Sequence, residues 1–85
     1  MNIKKEFCLL YLNDILSVMN LKDKVEIDIH ELEEDVVAIT SKYKEFKFYV
    51  VIPLDESEEQ IKKRLNILLV NIETSVLVDK LRIKI

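Results

Sequence analysis

The amino-acid sequence predicts an α+β fold of two layers, in which two helices cover one face of an antiparallel sheet. Apolar residues recur at helical spacing near both ends of the chain, and they alternate with polar residues between Val25 and Ile52. Amphipathic helices and half-buried strands of this kind bury their apolar faces against each other. The predicted order is α-β-β-β-α-β, with a three-stranded meander and a short fourth strand at the C-terminus.

The length and composition indicate one small folded domain. A chain of 85 residues supports a single hydrophobic core, so we expect a single small α+β domain over residues 1–85. Hydrophobic residues make up 49% of the sequence, enough for folding. No apolar run approaches the ~20 residues that span a bilayer, and the Lys4-Lys5 start is unlike a signal peptide. With Cys8 as its single cysteine, the chain is expected to be soluble and cytoplasmic.

The first helix is predicted from Ile3 to Met19. Its apolar residues form an unusually broad arc, while the opposite side is polar. The arc contains Phe7, Cys8, Leu9, Leu12, Ile15, Leu16 and Met19. Asn20 is suited to end this helix, because asparagine tolerates the left-handed backbone conformation of a C-terminal cap.

Three strands are predicted next. Val25–His30 alternates with period two, and the charged segment Glu31–Asp35 is expected to form a turn. A second strand, Val36–Ser41, and a third, Tyr43–Ile52, follow. Pro53 ends the third strand because proline cannot donate a ladder hydrogen bond. The alternation places Phe46, Phe48, Val50 and Ile52 on one face of the third strand, and Lys47, Tyr49 and Val51 on the other.

The second helix has the clearest start signal in the chain. Either Asp55 or Ser57 can cap it, and Ser57 with Gln60 makes a capping-box pattern. Its core stripe is predicted to be Ile61, Leu65, Leu68, Leu69, Ile72 and Val76.

The last five residues, Leu81 to Ile85, alternate again and predict the fourth strand. Charge indicates where this strand would lie. Arg82 and Lys84 would meet the outward Glu26 and Asp28 of the first strand, and opposite charges on neighbouring strands are favourable. We therefore expect the last strand beside the first.

The candidates for catalysis are few. The chain contains no glycine, which excludes the loops that bring backbone close to phosphates or dinucleotides. Cys8 and His30 are the strongest nucleophile and base, but Cys8 faces the predicted core and His30 the polar side of a strand. A Cys-His pair must lie within hydrogen-bond reach. We therefore predict no catalytic residues, no cofactor and no enzymatic activity.

The acidic segment Glu31–Asp35, next to His30, is the candidate for a cation site because carboxylates bind hard cations. It lacks the glycine that a calcium loop needs for its sharp turn. We expect a solvated turn and no metal site. The second acidic run, Asp55 to Glu59, is explained by the preference of helix N-termini for negative charge.

Lysines and tyrosines of the third-strand region suggest an alternative function. Lys42, Lys44, Lys47 and Tyr49 combine cations with an aromatic ring, as nucleic-acid-binding surfaces do. The α-β-β-β-α part of the predicted order also resembles the double-stranded RNA-binding domain. That family carries lysines where its last helix begins, whereas this chain has acids from Asp55 to Glu59, which would repel phosphates. Lysines that protect an exposed strand edge are the competing interpretation.

The most informative feature is an excess of apolar residues. Ile67, Val70 and Leu77 lie away from the core stripe of the second helix, and Tyr49 and Val51 lie on the outer face of the third strand. Extra apolar surface rimmed by charge is typical of protein interfaces. The competing interpretation is a broad-faced helix that is simply well buried.

These observations predict a small non-catalytic protein-binding module that acts as an inhibitor or adaptor by occupying a surface of a partner protein. We expect homo-oligomers, in the simplest case a homodimer, and no membrane partner. Net charge is −3, and the 11 Ile and 11 Lys point to an AT-rich genome. Small size and lack of catalytic residues suit an anti-defence protein of a phage or mobile element, a class that includes anti-CRISPR proteins.

Overall fold

A computed structural model describes residues 3–84 of the chain, with side chains described for residues 3–82. Two helices flank three strands in the order α-β-β-β-α, which confirms the α+β prediction. The elements are α1 (Ile3–Val18), β1 (Glu26–Glu33), β2 (Val36–Tyr43), β3 (Phe46–Pro53) and α2 (Glu58–Lys84).

Helix α1 ends at the predicted asparagine. Asn20 has a φ of 59°, the left-handed conformation that usually belongs to glycine. The amide of Leu21 donates to the carbonyl of Leu16 at 2.8 Å, and the amide of Asn20 donates to that of Ser17 at 3.1 Å. This pair of bonds is a Schellman cap, which satisfies carbonyls that would otherwise lack donors at the helix end.

The sheet is an antiparallel meander in the order β1-β2-β3. Its two turns contain only two residues each, Glu34-Asp35 and Lys44-Glu45. The first two strands are therefore longer than predicted, whereas the third begins at Phe46 and is shorter, because Tyr43 ends β2. The prediction of a turn over Glu31–Asp35 is wrong in its extent. Glu31 and Glu33 belong to β1 and pair with β2 across a bulge, which leaves only Glu34 and Asp35 in the turn. Lys44 takes a φ of 55° at the first position of its turn, where a tight hairpin needs positive φ.

One hydrophobic core lies between the sheet and the two helices. Cys8, Leu12 and Leu16 enter it from α1, and Val37, Ile39 and Ile52 enter it from the sheet. The predicted core stripe of α2 is confirmed at every position: Ile61, Leu65, Leu68, Leu69, Ile72 and Val76 are all buried. Both helices therefore cover the same face of the sheet.

Helix α2 begins at its predicted cap and is the longest element. The hydroxyl of Ser57 accepts a hydrogen bond from the Gln60 amide at 3.2 Å. With 27 residues, the helix extends about 40 Å, longer than an eight-residue strand of about 27 Å.

The prediction of a fourth strand is wrong. Residues 81–84 continue α2, and Ile85 lies outside the described residues. Arg82 does not face Glu26 and Asp28 of β1, but forms an ion pair with Glu45 at the tip of the β2–β3 hairpin, with its guanidinium 5.2 Å from the centroid of the Phe46 ring. Arg82, which we assigned to a strand pairing, thus joins the helix end to the hairpin.

Candidate functional site

The sheet has one face that neither α1 nor α2 covers, which we call the open sheet face. Along each strand, every second side chain points to this face, away from the core. Its members are Glu26, Asp28, His30, Val36, Ala38, Thr40, Lys42, Lys47, Tyr49, Val51 and Pro53.

Apolar side chains of β2 and β3 lie together on this face. The strand register pairs Val36 with Pro53, Ala38 with Val51, and Thr40 with Tyr49. Because paired residues on one face of a sheet are in contact, the apolar members form one continuous surface. We call this surface the apolar patch; it consists of Val36, Ala38, Tyr49, Val51 and Pro53.

The patch is most exposed at its two β3 residues nearest the charged rows. Tyr49 is 72% exposed and Val51 is 39% exposed. The three other members are half-buried. Tyrosine is an efficient contact residue, because its rigid ring is apolar while its hydroxyl forms hydrogen bonds. The patch thus offers an apolar centre with one polar handle.

Charged residues border the patch on two sides. Glu26, Lys42 and Lys47 form one row across the three strands, and Asp28 pairs with Thr40 in the next row. A shallow groove of about 350 Å³ lies among these residues and reaches Tyr49. On β1, His30 Nε2 lies 3.4 Å from the Thr40 hydroxyl. An apolar centre with a charged rim is the usual anatomy of a protein-binding surface.

The structure separates the predicted interface residues into two groups. Tyr49 and Val51 lie on the open sheet face, whereas Ile67, Val70 and Leu77 lie on α2, on the side that faces away from the sheet. Since the core lies between these layers, the two groups are on opposite sides of the molecule. The alternative of a broad-faced helix that is simply well buried does not account for these three residues, because each is more than half exposed.

The predicted lysine group is also divided. Lys42 and Lys47 face each other across β2 and β3, next to Tyr49. Lys44 instead donates to the carboxylate of Asp79 at 2.5 Å, and this hydrogen bond raises the pKa of Lys44. The negative charges of Glu26 and Asp28 offset the positive charges of Lys42 and Lys47 on the open sheet face.

The candidate nucleophile and base lie in different layers, as the sequence predicted. Cys8 has no exposed surface, and burial raises the pKa of its thiol. His30 is exposed on the open sheet face, with the sheet itself between it and the core. The two side chains cannot form a catalytic pair in this arrangement.

The acidic residues near the β1–β2 turn have local partners or point outward. Lys5 donates to Glu31 at 2.5 Å and lowers the pKa of that carboxyl. Within the part of the chain that the structure describes, no group of three or more His, Cys, Asp or Glu side chains is placed to hold a metal ion. In the same part, neither helix combines the length and apolarity that crossing a bilayer requires.

Sequence reasoning missed three members of the apolar patch, Val36, Ala38 and Pro53. Alternation along the second strand already placed Val36 and Ala38 on one face. Their position beside Tyr49 and Val51 depends on the register, which the two-residue turn at Lys44-Glu45 sets.

Neither a protein-family model, nor a curated protein, nor a solved structure matches this chain. The function is therefore inferred from the geometry of the chain's own residues.

Proposed function

We propose that this protein is a non-catalytic binding module that acts as an inhibitor or adaptor by occupying a surface of a partner protein. The apolar patch on the open sheet face is the observation that supports this proposal. It is a continuous apolar surface over β2 and the edge strand β3 with charges on two of its sides, and Tyr49 is its most exposed member. Burying such a side chain against a partner contributes about 1.5–3 kcal/mol.

The composition of the patch favours a protein partner over nucleic acid. Binding of nucleic acid depends on cations that contact phosphates. On the open sheet face Lys42 and Lys47 are matched by Glu26 and Asp28, and the N-terminal turn of α2 carries Glu58 and Glu59. Nucleic acid remains the alternative function, supported by the position of Lys42 and Lys47 directly opposite each other beside Tyr49.

The proposal extends to oligomeric state and location. The outer residues of α2 leave a second apolar surface on the opposite side of the molecule, which supports self-association. Cys8 is free and buried, which agrees with a reducing cytoplasm. An anti-defence protein of a phage or mobile element is the class of inhibitor that the size and composition suit.

The experiment is affinity capture from lysate of the native cell, with the protein immobilised as native chain and as Val51→Asp. We expect a protein to be retained in stoichiometric amount by the native chain and lost from Val51→Asp. Leu10→Asp is the matched control, because Leu10 is an exposed apolar residue of α1, remote from the patch. Retention by this control shows that the added charge alone is harmless.

The result that would overturn the proposal is retention that does not depend on the patch. Equal capture by native chain and Val51→Asp would exclude the patch as the binding surface. Capture that nuclease treatment removes, and that Lys42→Gln with Lys47→Gln abolishes, would identify nucleic acid as the partner instead. Circular dichroism of each variant confirms that it is folded.

A further inference from the structure

The outer side of α2 has a regular pattern of exposed residues. Ile67, Val70, Leu77 and Leu81 are 54–62% exposed, and the exposed Thr74 lies among them. Successive members are separated by three, four, three and four residues. This is the spacing of the a and d positions of a heptad, which forms the seam between two helices of a coiled coil. We call these five residues the outer stripe of α2.

The outer stripe is directly opposite the attachment of α2 to its own core. Ile72 and Asp79 occupy the f positions of the same heptad, the positions farthest from the seam. Ile72 is buried in the core, and Asp79 accepts a hydrogen bond from Tyr43 of the sheet at 3.2 Å. The sheet holds one side of α2, and the exposed stripe lies on the other side, where Leu77 also borders a groove beside Met19 and Asn20 at the end of α1.

The charged residues beside the outer stripe indicate which partner can pack against it. Glu73 and Lys80 occupy successive g positions on the same flank. In a parallel pair of helices a g position faces an e position, and Glu73 would face Val78. In an antiparallel pair g faces g, and Glu73 of each copy would face the partner's Lys80. The flank is therefore complementary in charge to a second copy of itself when the two helices run in opposite directions.

We propose that two copies of this chain associate through an antiparallel pairing of α2, with the outer stripe as the seam. This inference rests on the proposed self-association and specifies its surface and orientation. The register that aligns Glu73 with the partner's Lys80 also places Val70 against the partner's Leu81 and Thr74 against the partner's Leu77. Two Val70–Leu81 contacts and two Thr74–Leu77 contacts then form the seam, while the two ion pairs close one edge of it.

The consequence for the assembly is a two-sided dimer. Each copy places its open sheet face away from the seam, because the core separates the two surfaces. A dimer of this kind presents two apolar patches, one on each outer side.

The experiment is analytical ultracentrifugation, at tens of micromolar, of the native chain, of four single-residue variants and of one double variant. Val70→Glu places a charge in the seam, and we expect it to be monomeric. Leu10→Glu, on α1, is the matched control and is expected to remain dimeric. Glu73→Lys and Lys80→Glu each place like charges at both ion-pair positions on that edge, and we expect each to weaken the dimer roughly tenfold.

The combined variant, Glu73→Lys with Lys80→Glu, restores the opposite charges only in the antiparallel arrangement. We expect its dissociation constant to return to within about threefold of the native value. A native monomer would overturn self-association itself. A dimer that persists in Val70→Glu would overturn the seam while self-association stands, and a double variant no better than either single variant would overturn the antiparallel orientation. Leu77→Glu provides a second seam variant if circular dichroism shows that Val70→Glu is unfolded.

Discussion

The carboxylate of Asp79 accepts a hydrogen bond from the Lys44 ammonium at 2.5 Å, which joins the C-terminal part of α2 to the tip of the β2–β3 hairpin. The same carboxylate accepts the Tyr43 hydroxyl at 3.2 Å. One turn farther along α2, Arg82 pairs with Glu45 of the same hairpin tip. These contacts fix the helix beyond its last core residue, Val76, and they hold the outer stripe in place.

The first prediction concerns the pH dependence of stability. The hydrogen bond from Lys44 holds the pKa of Asp79 below its ordinary value of 3.8. A carboxyl whose pKa is lower in the folded state stabilises the fold above its unfolded pKa, and this contribution is lost as the pH falls through the folded value. We expect Asp79→Asn to be less stable than the native chain at pH 7, and the difference to shrink below about pH 4.

Urea unfolding at pH 7 and at about pH 2.5 measures this difference. Glu31 and Glu56 also have lowered pKa values, but they are present in both proteins and their effects cancel in the comparison. Glu45 does not cancel completely, because the charge of Asp79 opposes the lowering of its pKa by Arg82. Asp14→Asn, at an exposed position of α1, is the control variant. A stability difference between native chain and Asp79→Asn that is constant with pH would contradict the role of the ionised Asp79.

The helices were more predictable than the end of the chain. The cap at Ser57 and the stripe from Ile61 to Val76 follow from local spacing, which the folded chain preserves. The five residues from Leu81 onward alternate in polarity, and five residues are too few to separate a period of 2 from a period of 3.6. Leu81 also lies one turn beyond Leu77, so the helical pattern continues there. The Arg82–Glu45 pair that supports this continuation is a tertiary contact.

The candidate surfaces were predictable residue by residue but not as an arrangement. Alternation correctly placed Tyr49 and Val51 outside the core, and helical spacing did the same for Ile67, Val70 and Leu77. Neither pattern indicates on which face of the sheet the helices pack. The separation of the two groups by the core results from both helices packing on one face of the sheet, which depends on the whole fold.

The second prediction concerns the cap of α1. A side chain with a Cβ in the left-handed conformation is strained, and glycine is not. Asn20 has this conformation, so we expect Asn20→Gly to raise the free energy of unfolding by about 0.5 kcal/mol and Asn20→Ala to lower it by about 1 kcal/mol. Thermal and urea unfolding of the three proteins give these values.

Ser17→Gly is the matched control for this cap. Ser17 lies within the last turn of α1, where glycine loses more conformational entropy than other residues on folding. We expect a loss of a few tenths of a kcal/mol. If Asn20→Gly lost stability in the same way, the left-handed cap would not be present in solution.

The last prediction concerns the two residues that resemble a catalytic pair. Cys8 lies in the core and His30 on the open sheet face, so a binding function needs neither as a reactive group. We expect Cys8→Ala to lower the free energy of unfolding by about 1 kcal/mol through lost packing, and to keep partner capture.

His30 lies at the rim of the apolar patch, where side chains contribute little to affinity. His30→Ala should therefore change capture by less than about threefold, whereas Tyr49→Ala should reduce it by more than tenfold. His30→Gln distinguishes a rim contact from chemistry, because glutamine keeps a polar side chain but cannot act as a general base. Abolished activity in both His30 variants, with capture and unfolding free energies unchanged, would show that the imidazole is required for a step beyond binding and would contradict a binding-only function.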